Sequence, residues 1–463
     1  MQSQRVMGHS NLRRLLALIS LLGLSSAHAQ PAAGEDPALQ TGSNAIDWGA
    51  RMFPLQTLNR ALPGWLQFGG EYRVRGESED GIGYSRINDT YLLSRFRFNT
   101  KIQPRKWVTF FGELQDSRIF FNHHNPNRPP FQNSWDIHQA YVQFGNSTEG
   151  WADLTVGRQI LLFGAERVIG PSDWLNVNRT FDAVRLDIHH TGYKVSLFAS
   201  SVVFSTDGVM DHHMQGNNLY GVYGSFKNII PRATVEPYVL WRMAPANAGL
   251  SEAPTGGHLN DVTTGLRIAG ALPATFDYEI EMDRQTGSLG DKSIHAWAGY
   301  WSLGRTFERI ASAPRVYVEY NYASGTKDPA SRTWGTFDEI YPSNHDKLGF
   351  TDQLGRRNIQ HVRAGVEETL GKKWKLRQAY ESYWLATTSD ALYANSGAIS
   401  IPANPKATSR HIGQEVDFIA HYQANEGIAF GFGYARLFSG QFLKTASPGK
   451  DFSYPFAYLD YRF

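Results

Sequence analysis

What most constrains this chain is an alternation of period two. It recurs in stretches of about ten residues and runs to the last residue. At the end, Phe463, Tyr461, Leu459 and Ala457 share one parity, and Arg462, Asp460 and Tyr458 the other. In an extended strand successive side chains point to opposite faces, so such a segment has an apolar face and a polar face. Near the start, Phe68, Tyr72 and Val74 oppose Glu71, Arg73, Arg75 and Glu77. Next, Phe96, Phe98 and Ile102 oppose Arg95, Arg97, Asn99 and Lys101, and then Val108, Phe110 and Leu114 oppose Glu113 and Gln115. Terminal residues usually fray. A strand patterned up to a terminal phenylalanine has a fixed place in a sheet.

Alternating segments lie near 65–77, 91–102, 107–117, 135–145, 152–162, 181–190, 193–203, 217–227, 234–243, 261–269, 275–285, 292–304, 314–324, 358–370, 374–386, 410–423, 427–438 and 453–463. Each is roughly as long as a tilted membrane-crossing strand. The connections alternate in length. The long ones include 118–134, 163–180, 325–357 and 387–409, and the short ones read "QPRK", "HTG", "GALPA", "LGKK" and "QANEG". Outer-membrane barrels have short periplasmic turns and long external loops. The pattern predicts an all-β fold: a transmembrane antiparallel β-barrel over residues 64–463, with about 18 strands and both ends on the periplasmic side. Trp65, Trp107, Trp374, Trp384 and Tyr461 fall near segment ends, where interfacial girdles stand. A soluble sandwich, propeller or β-helix would have shorter strands or a visible repeat.

The N-terminus sets the compartment. Arg5, Arg13 and Arg14 precede the apolar run "LLALISLLGL" and the small-x-small triplet Ala27-His28-Ala29. Residues 1–29 read as a signal peptide and 30–63 as a periplasmic lead-in. The expected location is the outer membrane of a Gram-negative-type envelope. After the first 30 residues no apolar run is long enough for a membrane helix. Loss of the three arginines takes 45 basic residues to 42, against 43 acidic. That balance gives no footing for nucleic acid. The absence of cysteine removes disulfides and thiolate metal sites.

Inside such a barrel the polar faces line the lumen. The first two segments offer Arg73, Arg75, Arg95, Arg97 and Lys101, and the last adds Arg462. The eleventh, "FDYEIEMD", offers Asp277, Glu279, Glu281 and Asp283 on the far side. The expectation is a transverse field, basic on one wall and acidic on the other. The plainer alternative is that inward charges pair with neighbours, as Glu71 would beside Arg97. The segment 157–186 carries Arg158, Arg167, Arg179 and Arg185 with Asp173 and Asp182, in a loop suited to narrowing the mouth. Strict alternation puts Arg158 with Leu154 and Val156, so a lumenal Arg158 implies a bulge at Gly157. The pairs His123–His124, His189–His190 and His212–His213 are adjacent, and adjacent strand residues point oppositely. Only a loop site at His212–His213 with Asp211 remains as a metal candidate. The expectation is no metal, no cofactor and no catalytic constellation, so not an enzyme.

Three stretches, "YLLSRFRFNTKIQPRKWVTFFGELQDSR", "IHQAYVQFG" and "GRQILLFGAERVIGPSDWLNVNRTFDAVRL", resemble the alginate export family of outer-membrane proteins. The resemblance spans 60–463 and is strongest over 65–190. It implies a monomeric eighteen-strand barrel that passes an anionic uronate polymer through an arginine-lined constriction. Carried onto the matching motifs, it implicates Arg97, Arg158, Arg179 and Arg185, with Asp182 as orienting partner. Two features depart from the polymer exporter: the penultimate turn "QANEG" is short, and the acidic eleventh segment would repel a polyanion. The expected function is an outer-membrane channel passing an alginate-like anionic polysaccharide outward. The alternative is a porin or uptake channel for small anionic or sugar-like solutes, and a third is a barrel enzyme or adhesin. Expected partners are membrane lipids, the transported polysaccharide or solute, the barrel assembly machinery through the C-terminal strand, and periplasmic export components.

Overall fold

The computed structural model describes residues 55–146, 150–246 and 257–463. The signal peptide and most of the lead-in lie outside the described residues. The elements run α1 (Gln56–Ala61), β1 (Leu66–Ile82), β2 (Ile87–Arg105), β3 (Val108–Phe120), β4 (Asn133–Gly145), β5 (Ala152–Gln159), β6 (Phe181–His190) and β7 (Tyr193–Phe204). They continue with β8 (His212–Lys227), β9 (Ala233–Ala244), β10 (Leu259–Leu272), β11 (Phe276–Leu289), β12 (Lys292–Thr306), β13 (Arg315–Ala323), β14 (Thr333–Trp334), β15 (Ile359–Leu370) and β16 (Trp374–Leu385). Last come β17 (Leu392–Tyr393), β18 (Ile399–Ile401), β19 (His411–Gln423), β20 (Ile428–Ser439), α2 (Gln441–Ala446) and β21 (Phe452–Arg462).

Among the described residues eighteen strands form one closed antiparallel barrel. The short β14, β17 and β18 belong to the external loops. Closure comes from β1 against β21, with Glu71 opposite Arg462, Arg73 opposite Asp460 and Arg75 opposite Tyr458. The terminal residue takes part: Gly70 and Phe463 exchange both backbone hydrogen bonds. A Cβ on Gly70 would stand 2.4 Å from the Arg97 carbonyl oxygen and 2.6 Å from the Phe463 ring. Only glycine lets the seam approach this closely. Below the seam, the Asn59 side chain of α1 bonds both the amide and the carbonyl of Phe68. The lead-in therefore ends in a short helix that caps an open rung of β1.

Alternation sets the faces. Leu114, Val156, Val184, Leu197, Val222, Val239, Leu266, Val318, Val362 and Phe432 are exposed on the outward parity and form the lipid-facing belt. Trp65, Trp107, Trp151 and Trp374 mark its periplasmic edge. The polar stretch 78–89 between the first two segments does not form a long loop. It is strand almost throughout, with a four-residue turn at 83–86. Cross-strand bonds carry β1 and β2 outward, among them Ser78 Oγ to Thr90 Oγ1 at 2.7 Å and Tyr91 Oη to Glu77 at 2.7 Å.

The inner face is not uniformly polar. On the β12–β21 side, toward the external end, Ala296, Ala298, Tyr383, Leu385, Leu437 and Phe452 point inward. Phe337, Leu348 and Leu354 of one loop, Leu392 of another, and Phe442 and Leu443 of α2 pack against them. A dry core thus fills part of the barrel, and its apolar burial fixes the loops that enter.

Candidate functional site

Two loops occupy the lumen: 160–180 between β5 and β6, and 324–358 between β13 and β15. They knit together as a partial sheet. Tyr341 donates to Val168 O at 3.0 Å, Gly170 to Tyr341 O at 2.8 Å, and Ser343 to Glu166 O at 2.9 Å. Ser172 Oγ donates to Pro342 O at 2.8 Å, and Arg179 donates to the carbonyls of Gly170, Tyr341 and Pro342. Leu161, Val168, Ile169, Ile340 and Tyr341 bury against Phe181, Phe198, Leu219 and Leu240 of the wall. The result is a two-loop plug.

The arginine row of β1 and β2 holds one side of it. Arg73 donates to the carbonyl oxygens of Asp173, Trp174 and Leu175 at 2.9, 3.0 and 3.0 Å. Arg95 donates to Asp173 O at 2.9 Å and to Glu71 Oε1 at 3.0 Å, and lies 3.1 Å from the Asp173 carboxylate. Arg97 donates to Asp173 Oδ1 at 3.0 Å, Asn178 Oδ1 at 2.8 Å and Gln115 Oε1 at 2.7 Å. Arg75 pairs with Glu77 and lays its guanidinium 3.9 Å over the Trp174 ring. A guanidinium presents five donors in a rigid fork, so four arginines side by side can donate to a strip of oxygens. Residues 173–178 supply that strip. Desolvation deep inside the barrel would raise the Asp173 carboxyl even though half its surface is open to the lumen, but Arg95, Arg97 and Arg73 hold it well below the usual carboxylate range.

The acidic wall holds the other side. Asp283 takes Arg356 of the second loop at 3.0 Å. Asp338 of that loop takes Arg242 of β9 and its own neighbour Arg357, both at 2.6 Å. Gln285 clamps the Asp338 backbone through its amide and carbonyl, each at 2.7 Å. Burial pushes the Glu339 carboxyl up to about 6, and it accepts the Arg356 amide at 2.7 Å. Arg167 of the first loop lies 3.4 Å over Tyr300 of β12. The remaining acids pair within the wall: Asp277 with Arg315 at 2.6 Å, Glu279 with Arg267 at 2.8 Å, and Glu281 with Tyr238 Oη at 2.7 Å. Each wall is met by groups of opposite sign, Asp173 on the basic side and Arg356 on the acidic side. On the basic side these charges seat the plug, whereas of the four acids on β11 only Asp283 reaches it.

The other candidates are scattered. Lys101 stands on the inward parity of β2, half-buried, toward the periplasmic mouth. Arg462 reaches the same mouth, 3.7 Å from Asp460. Arg185 faces inward, 3.1 Å from Asp187. Arg179 lies within the plug. Arg158 and Asp182 are different. The bulge expected at Gly157 does not occur, since the pairings of β5 with β4 and β6 run without a register shift. Gly157 instead absorbs the local geometry with φ +124°. Arg158 and Asp182 therefore share the outward parity of Val156 and Val184. They pair at 2.9 Å on the external rim, where Arg158 also donates to Ile137 O and Asp211 O. His213 approaches Asp182 at 3.5 Å, and among the described residues no cluster of three His, Asp or Glu is arranged for a metal.

Sequence reasoning missed Trp174, Asn178, Arg242, Asp338 and Arg356 as parts of this site. Length marked the two loops as special, but no local signal says that they meet each other or which wall each one seats on.

A family model described as "Alginate export" matches residues 64–453. No curated protein matches the sequence. Among solved structures, Pseudomonas aeruginosa OpdK with vanillate is similar at TM-score 0.58 and 9% identity, covering 86% of this chain and 98% of that one. P. aeruginosa OccK11 (OpdR) is similar at TM-score 0.56 and 12% identity, covering 86% and 96%. P. aeruginosa outer membrane protein OprD is similar at TM-score 0.56 and 10% identity, covering 86% and 94%. At such identities these likenesses speak for the fold, an eighteen-strand outer-membrane barrel.

Proposed function

The chain belongs to the alginate export family and forms an outer-membrane channel, and from that premise we propose that it passes an anionic polysaccharide of the uronate kind outward. One observation carries this reading. The arginine row of β1 and β2 is already engaged by the Asp173 carboxylate, the consecutive carbonyl oxygens of residues 173–175 and the Asn178 side-chain oxygen. A uronate chain presents the same chemistry, carboxylates and oxygens at short spacing along a strand. The plug segment stands where the polymer would lie and satisfies the guanidiniums until polymer replaces it. Charge complementarity of this kind selects anions at little net loss, because one set of charge-assisted bonds exchanges for another. No step here is catalytic. The chain acts by binding and guiding.

Uptake of small carboxylate or sugar-like solutes is the second reading. The dry core around Phe337, Leu348 and Phe452 favours it by narrowing the external half of the lumen. Planar bilayer recording separates the two. Polymer export requires an anion-preferring current that oligouronates block more strongly than neutral oligosaccharides of equal length. A cation-preferring current indifferent to oligouronates sinks it, and block by monomeric carboxylates alone favours the small-solute reading.

A further inference from the structure

Outside the lumen, the external end of the barrel seam carries a polar cleft of about 430 Å³. Its walls are Asp80, Arg86, Arg436, Lys450, Asp451 and Ser453. Asp80 pairs with Ser453 across the seam, and Ser453 pairs with Arg436 on the other side, so three strands bring these residues to one rung. The rung faces outward. Arg436 shares its parity with the exposed Phe432, Tyr434 and Phe438, and its guanidinium lies 5.0 Å over the Phe438 ring. Aromatic rings on the outward face mark headgroup level, between the lipid belt and water. The cleft therefore opens sideways, onto the outer leaflet.

The walls are built rather than loose. Lys450 donates its backbone amide to Tyr84 O at 2.9 Å, which ties the segment before β21 to the β1–β2 turn. Gly81 lets that backbone pass, because a Cβ there would stand 2.2 Å from Asp451 O. Asp451 is engaged by Arg436 at 3.1 Å and by the Ser439 amide at 3.0 Å. Among the described residues neither Arg86 nor Lys450 makes an ion pair. Three cations thus face two carboxylates, one of them already neutralised.

We propose that this cleft binds the phosphorylated headgroup of an outer-leaflet glycolipid. Guanidinium forks and an ammonium suit phosphate oxygens. Asp80 accepts from hydroxyl or amide groups of the sugar. The acyl chains lie along Phe432 and Tyr434, which a free anion would leave uncovered. A lipid bridging β20, β21 and β1 also braces the seam.

Native mass spectrometry of the mature protein in non-ionic detergent tests this with a diphosphorylated, hexa-acylated glucosamine disaccharide, its phosphate-free counterpart, and inorganic phosphate. The expected result is one retained diphosphorylated lipid, bound at least tenfold more tightly than the phosphate-free one. Arg86→Gln with Lys450→Gln is expected to weaken it at least tenfold, with single-channel conductance unchanged. Equal binding of the phosphate-free lipid by the natural protein overturns the proposal, and that comparison needs no variant. Retention by the double variant overturns it as well. So does inorganic phosphate that competes as tightly as the lipid binds, which marks an anion site without lipid.

Discussion

Replacing Asp173 with asparagine probes whether the plug is the gate. Its carboxylate lies 3.0 Å from Arg97, 3.1 Å from Arg95 and 4.0 Å from Arg73. Asparagine keeps the shape and the backbone carbonyls but removes the charge, leaving three guanidiniums crowded. Two close charge-assisted bonds are worth roughly 3 kcal/mol together. Half of the Asp173 side chain faces lumenal water, 49% by area. Solvent screening reduces the loss to about 2 kcal/mol. That is roughly a 30-fold shift of the plug away from its seat. Single-channel recording at low salt is expected to show a comparable rise in open time, with anion preference increased because the arginines are freed. At high salt the natural protein and the variant converge, since screening already weakens the pair. Unchanged open time and unchanged reversal potential at both salts would refute the idea that Asp173 keeps the arginine row occupied.

Gly70→Val forces a side chain into a contact of 2.4 Å with the Arg97 carbonyl oxygen; a loss of about 1–3 kcal/mol is expected. It is read as a lower temperature for loss of the compact band in gel mobility, and deletion of Phe463 should not add fully to it. Arg97→Glu is expected to lower anion preference in reversal-potential measurements, whereas Arg158→Glu should leave it unchanged because Arg158 stands on the outer rim; an equal effect from both would contradict the assigned faces. Burial holds Glu339 at about 6 against an ordinary value of 4.5, so its contribution is present below pH 4.5 and is lost as pH rises through 6, at most about 2 kcal/mol. Hydrogen exchange over residues 338–344, corrected for intrinsic rates, is expected to quicken between pH 5 and 7, and Glu339→Gln should flatten that response; a flat natural profile counts against it.

The wall of this protein was legible because a strand's two faces are written in its own residues. Tyr72 and Arg73 point apart whatever lies beyond them, and a closed sheet leaves one face for lipid and one for the interior. The terminal Phe463 could be placed by the same rule, and the structure puts it on the lipid-facing parity, opposite Gly70. At Arg158 the same rule outweighs a bulge at Gly157: strict alternation holds, a positive φ at Gly157 takes up the geometry, and the charge stays outside.

The sequence by itself determined the barrel, its strand number and its two faces, because these follow from period-two patterning and connection length. Only the tertiary structure decided what the inward side chains meet. Asp173 and Arg97 lie 76 residues apart, and Asp283 and Arg356 lie 73 apart. No periodicity links such partners. Their meeting depends on how two long loops fold back into the lumen, and on a dry core that fixes where they stop.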